Sequence, residues 1–143
     1  MRDGSSDIVH ASSVAVHGFA VLLMGVSGSG KSDLALRLID RGHGLISDDR
    51  TLVHIKEGRL LASAPPTIAG KLEARGLGIL ELPHQDDVPV ALAIGLDGPV
   101  ERFPLEEKEL TLLGTSIPLL ALNARAASAP ILVEKALDRE EAR

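Results

Sequence analysis

The chain has 143 residues, 45% of them hydrophobic and 1% aromatic, with a formal net charge of -5 and no cysteine. That length suits one domain over residues 1–143, the lack of cysteine excludes a disulfide framework and a thiolate zinc site, and the acidic balance with two Phe and no Trp or Tyr argues against a nucleic-acid partner. No apolar run approaches the ~20 residues of a membrane span, and the polar N-terminus lacks the apolar stretch of a signal peptide, so the expectation is a soluble, cytoplasmic protein without a membrane partner.

In chain order, SSVAVHG alternates weakly and predicts a strand, placed at a sheet edge. FAVLLM, residues 19–24, is a continuous apolar run ending at glycine, the pattern of a strand buried on both faces. Residues 31–41 follow helical spacing, with Leu34, Leu38 and Ile39 toward the core and Gly42 as the stop. GLIS predicts a short strand ending in two aspartates. TLVHIKEGRLLASAP predicts two strands around a Glu57-Gly58 turn, broken by Pro65-Pro66. TIAGKLEARGLGILEL predicts a short helical turn and then a strand over residues 78–82. VPVALAIGL, TSIPLLALN and APILVEKAL are strand-like, the last entering a helix, and Pro89 and Pro118 mark strand starts or edges. The sum is a strand-rich α/β domain with one prominent helix.

Between the apolar strand and that helix lies GVSGSGKS, which fits the pattern G-x-x-x-x-G-K-[ST] at Gly25, Gly30, Lys31 and Ser32. Glycines let successive backbone N–H groups turn inward as an anion nest, and the helix behind them aims its positive end at the same point. Val26, Ser27, Gly28 and Ser29 complete the loop. Lys31 is placed to reach the β and γ phosphates of a nucleotide, and Ser32 offers its hydroxyl to Mg²⁺.

A phosphate-transferring loop needs an acid at the end of a neighbouring strand, as a metal ligand or a base. Asp48 and Asp49 stand there. On an extended backbone adjacent side chains point to opposite faces, so one of the two is expected to face the phosphates. Glu73 and Arg75, in KLEARGLG, read most simply as a surface pair in a turn. Gly76 and Gly78 beside them imply a close backbone approach that keeps a ligand site open. His17, next to a glycine, reads on its own as structural, as do His10, His43, His54 and His84.

Taken together, VHG at His17, GVSGSGKS, RGHGLISDD, ASAPP and LEARGLGIL resemble the catalytic domain of bacterial HPr kinase/phosphorylase, over residues 14–82. The resemblance implies a fold similar to phosphoenolpyruvate carboxykinase, with a mixed sheet and without the family's N-terminal domain. It implies an ATP- and Mg²⁺-dependent kinase for a serine of HPr, the phosphocarrier of the phosphotransferase system, and in many members removal of that phosphate as well. By resemblance Asp48 is the base, His17 the active-site histidine, Lys31 and the loop from Gly25 the phosphate holders, and Ser32 and Glu73 the Mg²⁺ ligands. Arg75 and Gly76 fall in the family signature. The family carries an arginine on a mobile loop near LPHQDDVPVA, and this chain has none there. Arg125, in LNARAAS, is similar to an arginine of a later family segment linked to dephosphorylation, and Arg102 is a weaker candidate for a charge clamp. A homo-oligomer, a hexamer in the family, is implied too. Two other readings stay open from the residues alone: a P-loop kinase for a small metabolite, and an ATP-sensing protein with little catalysis.

Overall fold

The apolar run FAVLLM forms β3 (Phe19–Met24), and its alternation explains why it is buried on both faces. In this computed structural model, which describes residues 4–142, Val21 and Leu23 join one buried cluster and Leu22 joins another. Before it runs β2 (Ala11–Val16), antiparallel and in register from Ala11↔Met24 to Val16↔Phe19. Their two-residue turn is His17-Gly18, both at positive φ (51° and 86°), the twist that closes tight hairpins. β2 is buried throughout and pairs on its other side with β4 (Gly44–Ser47). The edge position expected for β2 is therefore wrong: β4 takes it, and β2 is interior. Ser13 on β2 satisfies its hydroxyl on Thr51, 2.8 Å away, which is how a polar pair tolerates that depth.

On the other side of β3 lies β9 (Val88–Gly95), running parallel to it. β9 is where the sheet forks. Its first residues pair antiparallel with β6 (Arg59–Ser63), which continues through β5 (Thr51–Lys56) to β1 (Ser6–Val9). Its last residues pair in parallel with β11 (Thr115–Ala121), which carries β10 (Lys108–Leu112) on its far side. The order is β1-β5-β6-β9-β3-β2-β4 with β11 and β10 branching from β9, a mixed sheet as expected. A separate hairpin is made by β7 (Lys71–Ala74) and β8 (Gly78–Glu81).

Four elements, β1, β7, β10 and the second helix, differ from expectation. The helical turn foreseen before β8 is a 3-10 turn at Pro66–Ile68, and the residues after it form β7, because pairing with β8 outweighs their local preference. β1 and β10 were not foreseen. APILVEKAL is not a strand at all: it opens α2 (Ala129–Glu141), with Pro130 in its first turn, where the ring's fixed φ suits a helix start. Its buried Ala129, Val133, Ala136 and Leu137 recur at helical spacing.

Both helices lie on one face of the sheet. Leu34 and Leu38 of α1 (Lys31–Asp40) meet Val133 and Leu137 of α2 over Val21, Leu23, Leu92 and Ile94. Ile39, expected in the core, is only partly buried against it. Gly42 ends α1 at φ 102°, its N–H on the Ile39 carbonyl (2.9 Å) and the N–H of His43 on that of Leu38 (3.2 Å). This left-handed closure needs glycine. Among the described residues no helix is long and apolar enough to cross a membrane.

The end of α1 is also where α2 is fastened. Arg41 donates to both oxygens of Glu134, at 3.0 and 2.6 Å, and His43 Nε2 lies 2.6 Å from the same carboxylate. These contacts, that from Arg41 foremost, lower the Glu134 pKa from 4.5 to about 2. A depressed carboxylate contributes stability that is complete above pH 4.5 and disappears as pH falls through about 2. Arg41 is 42% exposed, so solvent screening keeps the gain small. Glu134→Gln should therefore lower stability modestly at pH 7, and the difference from the parent should shrink steadily below pH 4.5 and be mostly gone by pH 2 in urea titrations.

Candidate active site

The glycine-rich loop spans residues 25–30, from the end of β3 to the start of α1. Gly28 and Gly30 hold φ of 85° and 100°. A Cβ on Gly25 would fall 2.5 Å from Ser29 Oγ, and one on Gly30 would fall 2.9 Å from the Ala124 Cβ. Gly30 caps α1 with no side-chain hydrogen bond, so the first N–H groups of the helix face out with their positive dipole end. Lys31 is 5% exposed. Its Nζ donates to the carbonyls of Gly25 (2.7 Å) and Val26 (3.3 Å), which holds one positive charge against the loop.

The two aspartates follow β4. Asp49 adopts φ 64°, and the N–H of Arg50 reaches back to the Asp48 carbonyl at 2.7 Å. That is a γ-turn of the rare, strained kind. The extended alternation that would send the two side chains apart is broken there, and both carboxylates line the same cleft. The expectation that only one faces the site is corrected by this single left-handed residue.

Asp48 is 9% exposed and accepts three hydrogen bonds. Ser12 Oγ (2.9 Å) and Ser32 Oγ (2.6 Å) donate to Oδ1, and the N–H of Glu73 (2.9 Å) donates to Oδ2. Asp49 Oδ1 lies 2.9 Å from His10 Nε2 and 3.6 Å from Lys31 Nζ, while its N–H donates to Ser12 Oγ at 3.0 Å. Ser12 thus grips both aspartates, one by side chain and one by backbone.

The cleft beside the loop has a volume of about 530 Å³ and gathers Ser27, Gly28, Gly30, Lys31, Ser32, Asp48, Asp49, Glu73, Arg75 and Arg125. Gly76, at φ 95°, shapes the β7–β8 turn that carries Arg75. Arg125 Nη2 donates to the Gly28 carbonyl at 2.8 Å. Arg102 does not enter: its guanidinium sits over Phe103, 5.8 Å from the ring centroid. The segment over residues 83–87 is tied down, with Gln85 N–H on the Leu45 carbonyl and His54 beside Asp87 at 3.0 Å.

The histidine assignment is corrected. His17 lies at the start of β3, opposite the loop end, and six residues of strand at ~3.3 Å each separate the two. Its Nδ1 is 3.5 Å from Asp138 of α2, and its ring meets His43 edge-on at 5.4 Å. The histidine in the site is His10, read from sequence as structural. A signal was present: His10 and Ser12 are two residues apart, hence on one face of an extended chain, a polar pair at the start of the hairpin that leads to the loop. Ser12 was missed for the same reason.

The donor set fits Mg²⁺. Ser32, Asp48, Asp49 and Glu73 are all hard oxygen donors. Ser32 gives its proton to Asp48, which leaves the lone pairs of its oxygen for a cation. Among the described residues no group of three His, Cys, Asp or Glu converges on one metal position, but magnesium keeps several waters and asks for only one or two protein oxygens. The same cleft offers loop N–H groups and Lys31 to a phosphate chain.

The two inner glycines can be told apart by mutation. A Cβ on Gly28 meets nothing within 4 Å, whereas one on Gly30 meets Ala124. Gly28→Ala should cost only the left-handed strain of about 1–2 kcal/mol. Gly30→Ala should cost more, because the turn at Ala124 must also move; urea denaturation of both variants measures the difference.

Comparison with known proteins places this arrangement. A family model described as HPr Serine kinase C-terminal domain matches residues 4–142. The HPr kinase/phosphorylase of Cupriavidus necator is 34% identical over 142 residues, covering 90% of this chain and 44% of that protein. That of Chlorobaculum tepidum is 38% identical over 127 residues, covering 79% and 37%. The chain thus spans less than half the length of these curated relatives. Among solved structures, the Hpr(Ser) kinase/phosphatase from Coxiella burnetii superposes with a TM-score of 0.83 at 26% identity, over 95% of this chain and 91% of that one. The chain belongs to the HPr serine kinase family, matching its C-terminal domain.

Proposed function

We propose that this domain is an ATP-dependent protein-serine kinase whose acceptor is HPr, the phosphocarrier of the phosphotransferase system. The observation that carries the reading is the 2.6 Å bond between Ser32, at the end of the glycine-rich loop, and Asp48. It puts a fixed carboxylate at the point where a phosphate held by the loop would end. We read the loop as a P-loop for the ATP phosphates, in a fold resembling phosphoenolpyruvate carboxykinase. The site of action is the cytoplasm, and the assembly a homo-oligomer.

In the forward direction Asp48 accepts the proton of the serine hydroxyl as its oxygen attacks the γ phosphorus, and the bond to the β–γ bridging oxygen breaks to release ADP. A serine hydroxyl is a weak nucleophile, so a base within hydrogen-bond reach matters. Lys31 and Arg125 neutralise charge on the transferring group, and phosphoryl transfer is mostly such positioning and neutralisation. Ser32 and Glu73 would hold Mg²⁺, which when bound supplies further neutralisation of the phosphate oxygens. His10 and Ser12 keep Asp49 turned toward Lys31, so that the lysine faces a carboxylate of defined position. In reverse, Asp48 would take a proton from inorganic phosphate as it attacks the phosphoserine phosphorus, and pass that proton to the serine oxygen as the O–P bond breaks, giving pyrophosphate and free serine, the activity named in the relatives as phosphorylase.

The domain, purified HPr, Mg²⁺ and γ-labelled ATP should together place label on an HPr serine. Asp48→Asn should slow that transfer on the order of 10³-fold, within the range for loss of a general base, while a fluorescent ADP analogue still binds. Nucleotide binding without label on HPr would favour a sensor, and label on a small metabolite a different kinase.

A further inference from the structure

Arg37 lies in the middle of α1, outside the residues that line the cleft, yet it grips the segment that completes it. Its Nη1 donates to the Ala126 carbonyl at 3.2 Å and its Nη2 to the Ala124 carbonyl. Those two carbonyls flank Arg125. Nε is held in turn by Asp33 at 3.0 Å, one helical turn earlier. The gripped segment joins β11 to α2. It leaves the sheet at Leu122, whose N–H donates to the Gly95 carbonyl, and then folds through short local bonds (Ala126 N–H to Asn123, Ala129 N–H to Ala126). Local turns of this kind set the shape of a segment but not its distance from the neighbouring loop. Arg37 supplies that distance from α1, whose first residue is Lys31.

Contact with the loop is close. Ala124 sits where a side chain on Gly30 would go, and Arg125 Nη2 bonds the Gly28 carbonyl. The Arg125 N–H is anchored on Asn123 Oδ1 at 3.0 Å, so its backbone direction is set as well. An arginine is suited to the task because its planar fork can bond two carbonyls and a carboxylate together, which a lysine ammonium on a flexible stem does not reproduce.

We propose that Arg37 is a positioning residue: it clamps the turn over residues 124–126 to α1 so that Arg125 stands as a cation beside the glycine-rich loop, in the cleft that also holds Lys31. The role of Arg125 toward phosphates rests on the kinase reading above; the coupling of Arg37 to Arg125 does not require that HPr be the acceptor. The clamp makes the cation part of the same rigid unit as the loop, instead of a mobile side chain that must be ordered when nucleotide binds.

The test is a double-mutant cycle on the whole chain with Arg37→Gln, Arg37→Lys, Arg125→Ala and the pair Arg37→Gln/Arg125→Ala. Two readouts are taken below each variant's melting transition: binding of a fluorescent ADP analogue without acceptor, and kcat and KM for ATP with HPr. Arg37→Gln should weaken nucleotide binding or kcat/KM about tenfold, the scale of one lost charged hydrogen bond. Arg37→Lys should not restore it, and the double variant should be no worse than Arg125→Ala alone. Equal losses from Arg37→Gln with and without Arg125, or wild-type binding and kinetics in Arg37→Gln, overturn the proposal. A parent protein that binds ADP but leaves HPr unlabelled overturns the choice of acceptor, and the binding arm still decides the coupling. A parent that binds no nucleotide overturns both.

Discussion

The carboxylate of Asp48 ties together three separate parts of this molecule. Its two oxygens collect Ser12 from β2, Ser32 from α1 and the N–H of Glu73 from β7. A nearly buried charge must be compensated by donors, because an unpaired one costs several kcal/mol. Here the donors come from three elements that are far apart in sequence. The separate β7–β8 hairpin, outside the main sheet, is thereby tied to the glycine-rich loop through one side chain. Removing any donor leaves the charge under-satisfied and loosens two elements together.

The sheet places that carboxylate. β3 delivers the loop, β2 runs back along it, and β4 lies on the far side of β2, so the chain following β4 emerges near the loop end of β3. The strained turn at Asp49 then fixes the last few ångströms. Backbone strain of this sort persists only where surrounding contacts over-determine it, and the contacts are present: Ser12 on the Asp49 N–H, His10 and Lys31 on its carboxylate. The two helices cover one face of the sheet. α2 packs on α1, and its Glu134 grips Arg41 and His43 at the far end from the loop, so α1 is held at both ends, by Asp48 at its start and by Glu134 at its finish.

The two histidines show how neighbourhood in sequence misleads. His17 is eight positions from Gly25 and His10 fifteen, yet the nearer one in sequence lies at the wrong end of a strand. A strand of six residues carries its ends ~20 Å apart, and a hairpin brings the beginning of β2, not its end, back to the loop. Ala11 pairs with Met24, so the residue preceding Ala11 stands beside the loop and the residue following Val16 stands opposite it. Reading the hairpin register, and not the motif VHG, identifies the histidine that meets Asp49.

What the sequence determined by itself is the local chemistry. The apolar run of β3, the glycines and Lys31 of the loop, the helical period of α1 with its Gly42 stop, and the acids after β4 are each dictated by patterns within a few residues, because strand period, helix period and left-handed glycine are local properties. The strand-rich α/β class followed from the same patterns, while the mixed sheet came from the family resemblance. Tertiary structure alone decided the rest. The interior place of β2, the pairing that turned residues 71–74 into a strand, the fork at β9, the convergence of both aspartates, the entry of His10 and Ser12 and the clamp of Arg37 on the turn of Arg125 all depend on partners tens of residues away. Strand pairing and hydrogen-bond satisfaction of a buried charge are settled between segments, and no window along the chain contains both sides of such a contact.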